Sequence, residues 1–418
     1  MTNACRLIAD QVRRKFSSSR ILLRHIAVLA LICQSSASIA AEIQVPSQPR
    51  SEPGDATSIL LTARRIFDGV EFRSDQSVFI KGAAIVEVGP LERPKDRAKE
   101  VIDLGDATIL PGFIELHAHI AIHNVPDDVV LKHGVTTLRE VGGPVLRASG
   151  GNGKLRHLTS GPIITVQGGY PISIFGAGYV AEAVQSAEEA RDLVRRLVEG
   201  GAAVIKIALE PGGEPGAPWS QQHPGIVPPP WAMAKVELVS TIVAEAHRLG
   251  KLVTAHIGES RGASIALAAG VDEWAHVPCS ELDDRLIERA ALQKVKVVTT
   301  LDTMSHCPGV FINARKLSEA GVSFLYGAEI AHVDVPWGID AQELQLMRHA
   351  TRMSDVEILR AATSEAGKEL GMEPLEKLTA GAPADLIAVK GNPLGNFKIL
   401  EYPDLVISGG TVVLNNFR

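Results

Sequence analysis

Apolar positions fall into two rhythms along this chain. Between residues 58 and 109, short β-rich runs (59–62, 77–80 and 84–88) are punctuated by Gly82, Gly89 and Gly105, with no long amphipathic stretch among them. Similar short runs return at 386–389, 405–407 and 411–414. An isolated strand cannot bury a face, so the two terminal segments are expected to pair into one small β domain, a β-sandwich. Between residues 110 and 370 strand-like and helix-like patterns alternate instead, which predicts a parallel sheet covered by helices. Strands are expected near 114–116, 135–138, 163–166, 204–207, 252–255, 273–275, 295–300 and 323–326, and helices over 187–199, 231–249, 262–269, 281–291 and 341–350. Eight such strands suffice to close an α/β fold of the (β/α)8 TIM-barrel type. The expected organisation is a signal peptide (1–40), a linker (41–57), the small β domain (58–109 and 379–418) and the barrel (110–378). Gly/Pro-rich stretches at 168–178 and 210–230 exceed simple connections and would lie over the catalytic face as lids.

The first 40 residues carry six Lys/Arg against one acid, then the apolar stretch 26–32, then small residues ending near Ala40 and Ala41. That apolar core is too short to span a bilayer and reads as a cleaved export signal, which makes the mature protein periplasmic or secreted. Arg13-Arg14-Lys15-Phe16 also fits the start of a twin-arginine signal. Cleavage removes a net +5 and takes the formal charge from −6 to about −11. With no Lys/Arg cluster in the remainder, nucleic acid is excluded as a partner, and no membrane association is expected after cleavage. Self-association into a homo-oligomer fits a protein of this class. Cys5 and Cys33 leave with the leader; Cys279 and Cys307 stay, and while an oxidising compartment would permit them to pair, the expectation is two separate, semi-buried thiols.

Candidate chemistry begins at His117 and His119. They lie two residues apart at the end of an apolar strand, so both rings face the same side and can reach one ion. Lys206, His256 and His276 each end a further apolar run. Ligands at successive strand ends are what a (β/α)8 barrel offers a metal. A lysine flanked by Ile205 and Ile207 is otherwise awkward, because desolvation disfavours its charge.

Several segments, in order, carry a family resemblance: Pro111-Gly-Phe-Ile-Glu-Leu-His-Ala-His119, Gly134-Val-Thr-Thr-Leu-Arg-Glu-Val-Gly-Gly143, Val204-Ile-Lys-Ile207, Thr254-Ala-His256, Gly270-Val-Asp-Glu-Trp-Ala-His276, and Gly381-Ala-Pro-Ala-Asp-Leu-Ile-Ala-Val389 with Asn392-Pro-Leu394. Over about residues 110–414 the chain resembles the amidohydrolase superfamily, nearest its imidazolonepropionase-like and Xaa-Pro dipeptidase-like branch. The resemblance implies two divalent metal ions, zinc first among the candidates, with His117 and His119 on one and His256 and His276 on the other. Lys206 would bridge them as a carbamate made with CO2, since a protonated ammonium cannot ligate a cation. Histidine and carboxylate ligands suit zinc and also admit manganese, cobalt or iron.

Where relatives carry an aspartate at strand eight, this chain reads Tyr326-Gly-Ala-Glu329-Ile-Ala-His332-Val-Asp334. Glu329 falls in register as metal ligand and proton shuttle, and Asp334 is the rival. Tyr170 is a candidate oxyanion donor or a packing residue of the lid. His332 is a candidate substrate contact. Arg139 would either grip a substrate carboxylate or form a structural ion pair, with Glu140 among the nearby acids. His123, His133, His223 and His306 read as solvent-facing or core histidines. The implied activity is hydrolysis of amide-type C–N bonds in small peptides or N-acyl amino acids by a hydroxide held between the ions, as in a dipeptidase. Its alternatives are lactone, carbamate or phosphotriester hydrolysis at the same site, or a binding protein impaired by glutamate at position 329.

Overall fold

The computed structural model describes residues 57–91, 98–213, 227–375 and 377–417. The expected leader, all but the last residue of the linker, and 214–226 of the second lid lie outside the described residues. The terminal segments do pair. Strands β1 (Ser58–Phe67), β2 (Phe72–Lys81), β3 (Ala84–Pro90), β4 (Glu100–Asp103) and β5 (Ala107–Pro111) share a sheet with three strands from the other end of the chain. Those three are Leu386–Lys390, Leu405–Ser408 and Thr411–Asn415, and the junction is an antiparallel ladder between β5 and Leu386–Lys390. Hydrogen bonding links all eight strands into one sheet built from both terminal segments. Ile59, Leu61, Ile80, Ile109, Leu386 and Ile407 are in its shared core.

Immediately after β5, Gly112 turns the chain into β6 (Phe113–Ala118). A Cβ at Gly112 would lie 2.1 Å from Thr136 Oγ1, so only glycine lets the two backbones approach here. Parallel ladders then join β6 to β7 (Val135–Glu140) and β8 (Arg156–Thr159). A second parallel sheet holds, in spatial order, β10 (Ala181–Ala183), β9 (Ile163–Thr165), β11 (Ile205–Ala208), β12 (Val253–His256), β13 (Glu273–Trp274), β14 (Lys296–Val298) and β15 (Ser323–Leu325). The two arcs meet where His119 N donates to Ile330 O at 2.9 Å, and where Ile114 and Leu116 of β6 pack with Val298 of β14 and Leu325 of β15. All eight expected strands have counterparts; β8 and β10 are additional.

Helices cover the parallel strands. Ala187–Gly200 starts at Ser186, whose side chain accepts from Glu189 N. It buries Ala190, Leu193, Val194 and Leu197, a 3.6-residue stripe, and stops at Gly201 in the left-handed region. The helix expected from residue 231 begins at Val236 instead. Trp231 belongs to the loop before it, its backbone N–H donating to Pro211 O and its indole to Val227 O. The largest correction concerns the cysteines. Cys279 and Cys307 lie in the loops after adjacent strands β13 and β14 and are joined as a buried disulfide with Cα atoms 5.0 Å apart. Among the described residues no helix is long and apolar enough to cross a membrane.

Candidate metal centre

Strand direction places the candidate ligands at one end of the parallel sheets. His117 closes β6, Lys206 lies on β11, His256 is the last residue of β12, His276 follows β13, and Glu329 follows β15. The Nε2 atoms of His117 and His119 are 3.2 Å apart. Glu329 Oε1 lies 3.8 Å from His117 Nε2 and 3.7 Å from His119 Nε2, and its Oε2 lies 3.9 Å from His276 Nδ1. One ligand atom each from His117, His276 and Glu329 falls within a 4.8 Å group that could hold an ion. His256 stands against His276 with ring centroids 4.6 Å apart.

Each buried ring has one nitrogen already engaged. His117 Nδ1 faces Ala275 O at 2.9 Å, His276 Nδ1 faces Thr300 Oγ1 at 2.8 Å, and His256 Nε2 faces Glu210 Oε2 at 3.3 Å. In each ring the opposite nitrogen, Nε2 of His117 and His276 and Nδ1 of His256, is on the far side from that contact, and for His117 it faces His119 Nε2. Burial, followed by the charge of Lys206 for His117 and of His256 for His276, holds the pKa of His117 and His276 well below the usual imidazole value. Both rings are therefore neutral, as ligation requires.

Lys206 is 1% exposed, and its Nζ has no hydrogen-bond partner among the described residues. Burial pulls its pKa down to about 7, against the opposing pull of Glu329. Glu329 is also buried, with Oε2 unpartnered; burial raises its pKa, while His119 and Lys206 draw it down. These orphaned atoms and neutral rings form a donor set that fits divalent cations and a carbamate on the lysine.

Backbone strain marks the same end of the fold. Thr300 (φ 45°), Glu329 (φ 67°) and Ala331 (φ 88°) all adopt left-handed conformations without being glycine. Thr300 N donates to Gly327 O, and Ala328 N donates to Glu115, which also accepts from His117 N at 2.7 Å. Glu115 thereby ties the first ligand strand to the segment carrying Glu329. Burial raises the pKa of Glu115 to about 8.

A cavity of about 570 Å³ opens over this centre. Glu329 and His119 form part of its floor; Ile122, Ile163, Phe175 and Val180 are apolar lining, and Asp302, His306, His332 and Asp334 are polar lining. Tyr170 lines it too, its ring 4.5 Å from His256 and stacked on Trp231 at 5.8 Å. Asp334 is exposed and stands outside the ligand group that contains Glu329. Arg139 does not reach the cavity. It is 2% exposed and forms a bidentate pair with Glu273 at 2.5 and 3.2 Å, its Nε donating to Leu116 O. Of the two roles expected for it, the structural ion pair is the one seen and the substrate-binding role is corrected, because the guanidinium is buried against Glu273 and absent from the cavity lining. His123 and His306 line the cavity, His133 bonds Val129 O, and His223 lies outside the described residues.

Sequence reasoning missed Glu210, Thr300 and Glu115. Two of them carried a readable signal. Glu115 is an acid inside an apolar strand, two residues before His117 and on its face; Glu210 lies four residues after Lys206, in phase with it.

Comparisons with known proteins agree with this geometry. Residues 108–413 match the model of the Amidohydrolase family. Ochratoxinase from Aspergillus niger is 28% identical over 287 residues, 63% of this chain, and the match spans 57% of that protein's length. Among solved structures, a Xaa-Pro dipeptidase with methionine bound in its active site superimposes with a TM-score of 0.68 at 23% identity, over 85% of this chain and 99% of the other. The A. niger ochratoxinase structure gives 0.69 at 21% identity over 86% and 96%. A prolidase complexed with N-methylphosphonate-L-proline gives 0.69 at 22% over 86% and 100%. With ligand-type residues gathered at the ends of parallel strands and a family match across both sheets, the chain belongs to the amidohydrolase family.

Proposed function

We propose that this protein is a metal-dependent hydrolase that cleaves amide-type C–N bonds of small peptides or N-acyl amino acids. The observation that carries the reading is the convergence of four histidines, a buried lysine and a buried glutamate from five separate strand ends. The proposed barrel is closed; His117 and His119 would hold one cation and His256 and His276 a second, with Lys206, as a carbamate, a shared ligand. Zinc is the favoured metal. Bound there, two divalent cations would supply a water acidified toward neutral pH and a polarised carbonyl.

The remaining work falls to the chain. Glu329, fixed between His117, His119 and His276, would take the proton from water and carry it to the departing nitrogen. Ala275 O and Thr300 Oγ1 keep two ligand rings oriented. Tyr170 and Trp231 wall the site beside His256, and the apolar lining receives the substrate's side chain. The described lining contains no Lys or Arg, so a substrate carboxylate would be received by His306, His332 or backbone donors. The Cys279–Cys307 disulfide supports an exported, periplasmic or secreted protein.

The test is a panel of dipeptides, N-acyl amino acids, lactones and phosphotriesters, run before and after chelation and after zinc is restored. The expected result is amide hydrolysis that chelation abolishes and zinc returns. Turnover of esters alone, or amide hydrolysis indifferent to chelator, overturns the reading.

A further inference from the structure

The rings of His117 and His276 are aimed by neutral acceptors, a backbone carbonyl and a hydroxyl. His256 differs, because its outer nitrogen faces a carboxylate. Glu210 is buried, its Oε2 lies 3.3 Å from His256 Nε2, and its Oε1 accepts from Gly212 N at 2.9 Å. Room for that carboxylate depends on Gly258. A Cβ at Gly258 would come 2.1 Å from Glu210 Oε2, closer than any real contact. Tyr170 packs beside the His256 ring and His276 meets it edge-on. The ring is thus flanked by aromatic neighbours, with the Glu210 carboxyl at its outer edge.

We infer that Glu210 is the positioning residue for His256: its carboxylate accepts from Nε2–H, which fixes the tautomer and presents Nδ1 as the metal-binding nitrogen. The inference rests on the metal-centre reading above. A carboxylate acceptor makes an imidazole a stronger donor to a cation than a neutral acceptor does. It also biases the tautomer before any cation arrives, because the Nδ1–H form would set two acceptors against each other across 3.3 Å. Glu210 therefore prepares His256 for its half of the centre, while Gly258 preserves the space in which it does so.

The test uses the full chain with Glu210→Gln, Glu210→Ala and Gly258→Ala. Nitrogen-15 spectra of the histidine rings in metal-free protein read the His256 tautomer, and zinc titration reads stoichiometry and affinity. The expected parent spectrum shows His256 as the Nε2–H form. The variants lose that preference, and affinity for one of two zinc equivalents falls about 10- to 100-fold. Gly258→Ala should match Glu210→Ala, although it removes no candidate ligand and no carboxylate. Glu210→Gln, which keeps an oxygen acceptor of the same shape, should lie between. A parent His256 in the Nδ1–H form overturns the inference, as does unchanged zinc affinity in Glu210→Ala. A parent that binds no zinc would defeat the metal-centre reading instead, while the tautomer measurement still decides the role of Glu210.

Discussion

Arg139 on β7 and Lys206 on β11 are both basic side chains fully buried within the parallel sheets, and each interacts with a buried glutamate. For Arg139 that partner is Glu273, and the pair is closed: two guanidinium bonds reach the carboxylate and a third reaches Leu116 O. For Lys206 it is Glu329, and there Lys206 Nζ and Glu329 Oε2 have no hydrogen-bond partner among the described residues. Burying a charge is tolerable when its donors and acceptors are matched, as at Arg139, and costly when they are not. An unmatched pair held beside the neutral imidazoles of His117 and His276 is what a site completed by a partner from outside the chain would require. On the proposed reading, similar burial marks structure in one place and chemistry in the other.

The sharpest way to break this comparison is Arg139→Met. It leaves Glu273 buried without a counter-charge and should cost about 3–5 kcal/mol of folding stability. The double variant Arg139→Met/Glu273→Met should recover most of that loss, because an apolar pair of similar volume removes both desolvation terms. Denaturant melts of the three proteins give the answer. A single variant within about 1 kcal/mol of the parent would mean that Arg139 is not committed to Glu273.

Lys206→Met should behave oppositely. In metal-free protein it removes an unsatisfied buried amine, so stability should rise by about 1–3 kcal/mol, while hydrolysis by zinc-loaded protein falls at least about 10²-fold. Stability lost together with activity would show Lys206 to be structural after all, and the contrast with Arg139 would dissolve.

Why one pair was readable in advance and the other was not follows from strand geometry. His117, His119, Lys206, His256 and His276 announce themselves because each ends an apolar run, and parallel strands bring such ends together whatever the loops do. Glu329 was readable on the same ground, and Asp334, five residues into a loop, lies outside the ligand group. Arg139 was correctly placed at the end of a strand, but its partner was sought among acids close by, whereas Glu273 is 134 residues away on β13. The disulfide escaped for a related reason: Cys279 and Cys307 meet only because β13 and β14 are neighbours. Phase placed Glu210 on the face of Lys206, but its contact with His256, like that of Thr300 with His276, depends on side-chain orientation, which periodicity does not encode. The small β domain shows the converse limit. Alternating runs disclosed its strands, yet the β5 ladder to Leu386–Lys390, which makes it one sheet, is a long-range pairing.

Glu343 offers the finest gradation, because it lies between the two extremes. It is fully buried, with Asp302 N donating to Oε2 at 2.7 Å, and it has no ion pair among the described residues. Burial, partly offset by the nearby Thr299 side chain and by backbone N–H groups, raises its pKa from 4.5 to about 8. The folded protein therefore keeps this proton over a range in which the unfolded chain has lost it. Stability from this group is complete below about pH 4.5 and drains away as pH rises through about 8, with a slope of at most about 1.4 kcal/mol per pH unit. Glu343→Gln holds a neutral side chain of the same shape and lacks that slope. The variant should gain on the parent steadily between pH 5 and pH 8 in parallel denaturant melts. If the difference between the two proteins stays flat, Glu343 is ionised in the fold and must have a cationic neighbour, which would move it to the Arg139 side of the comparison.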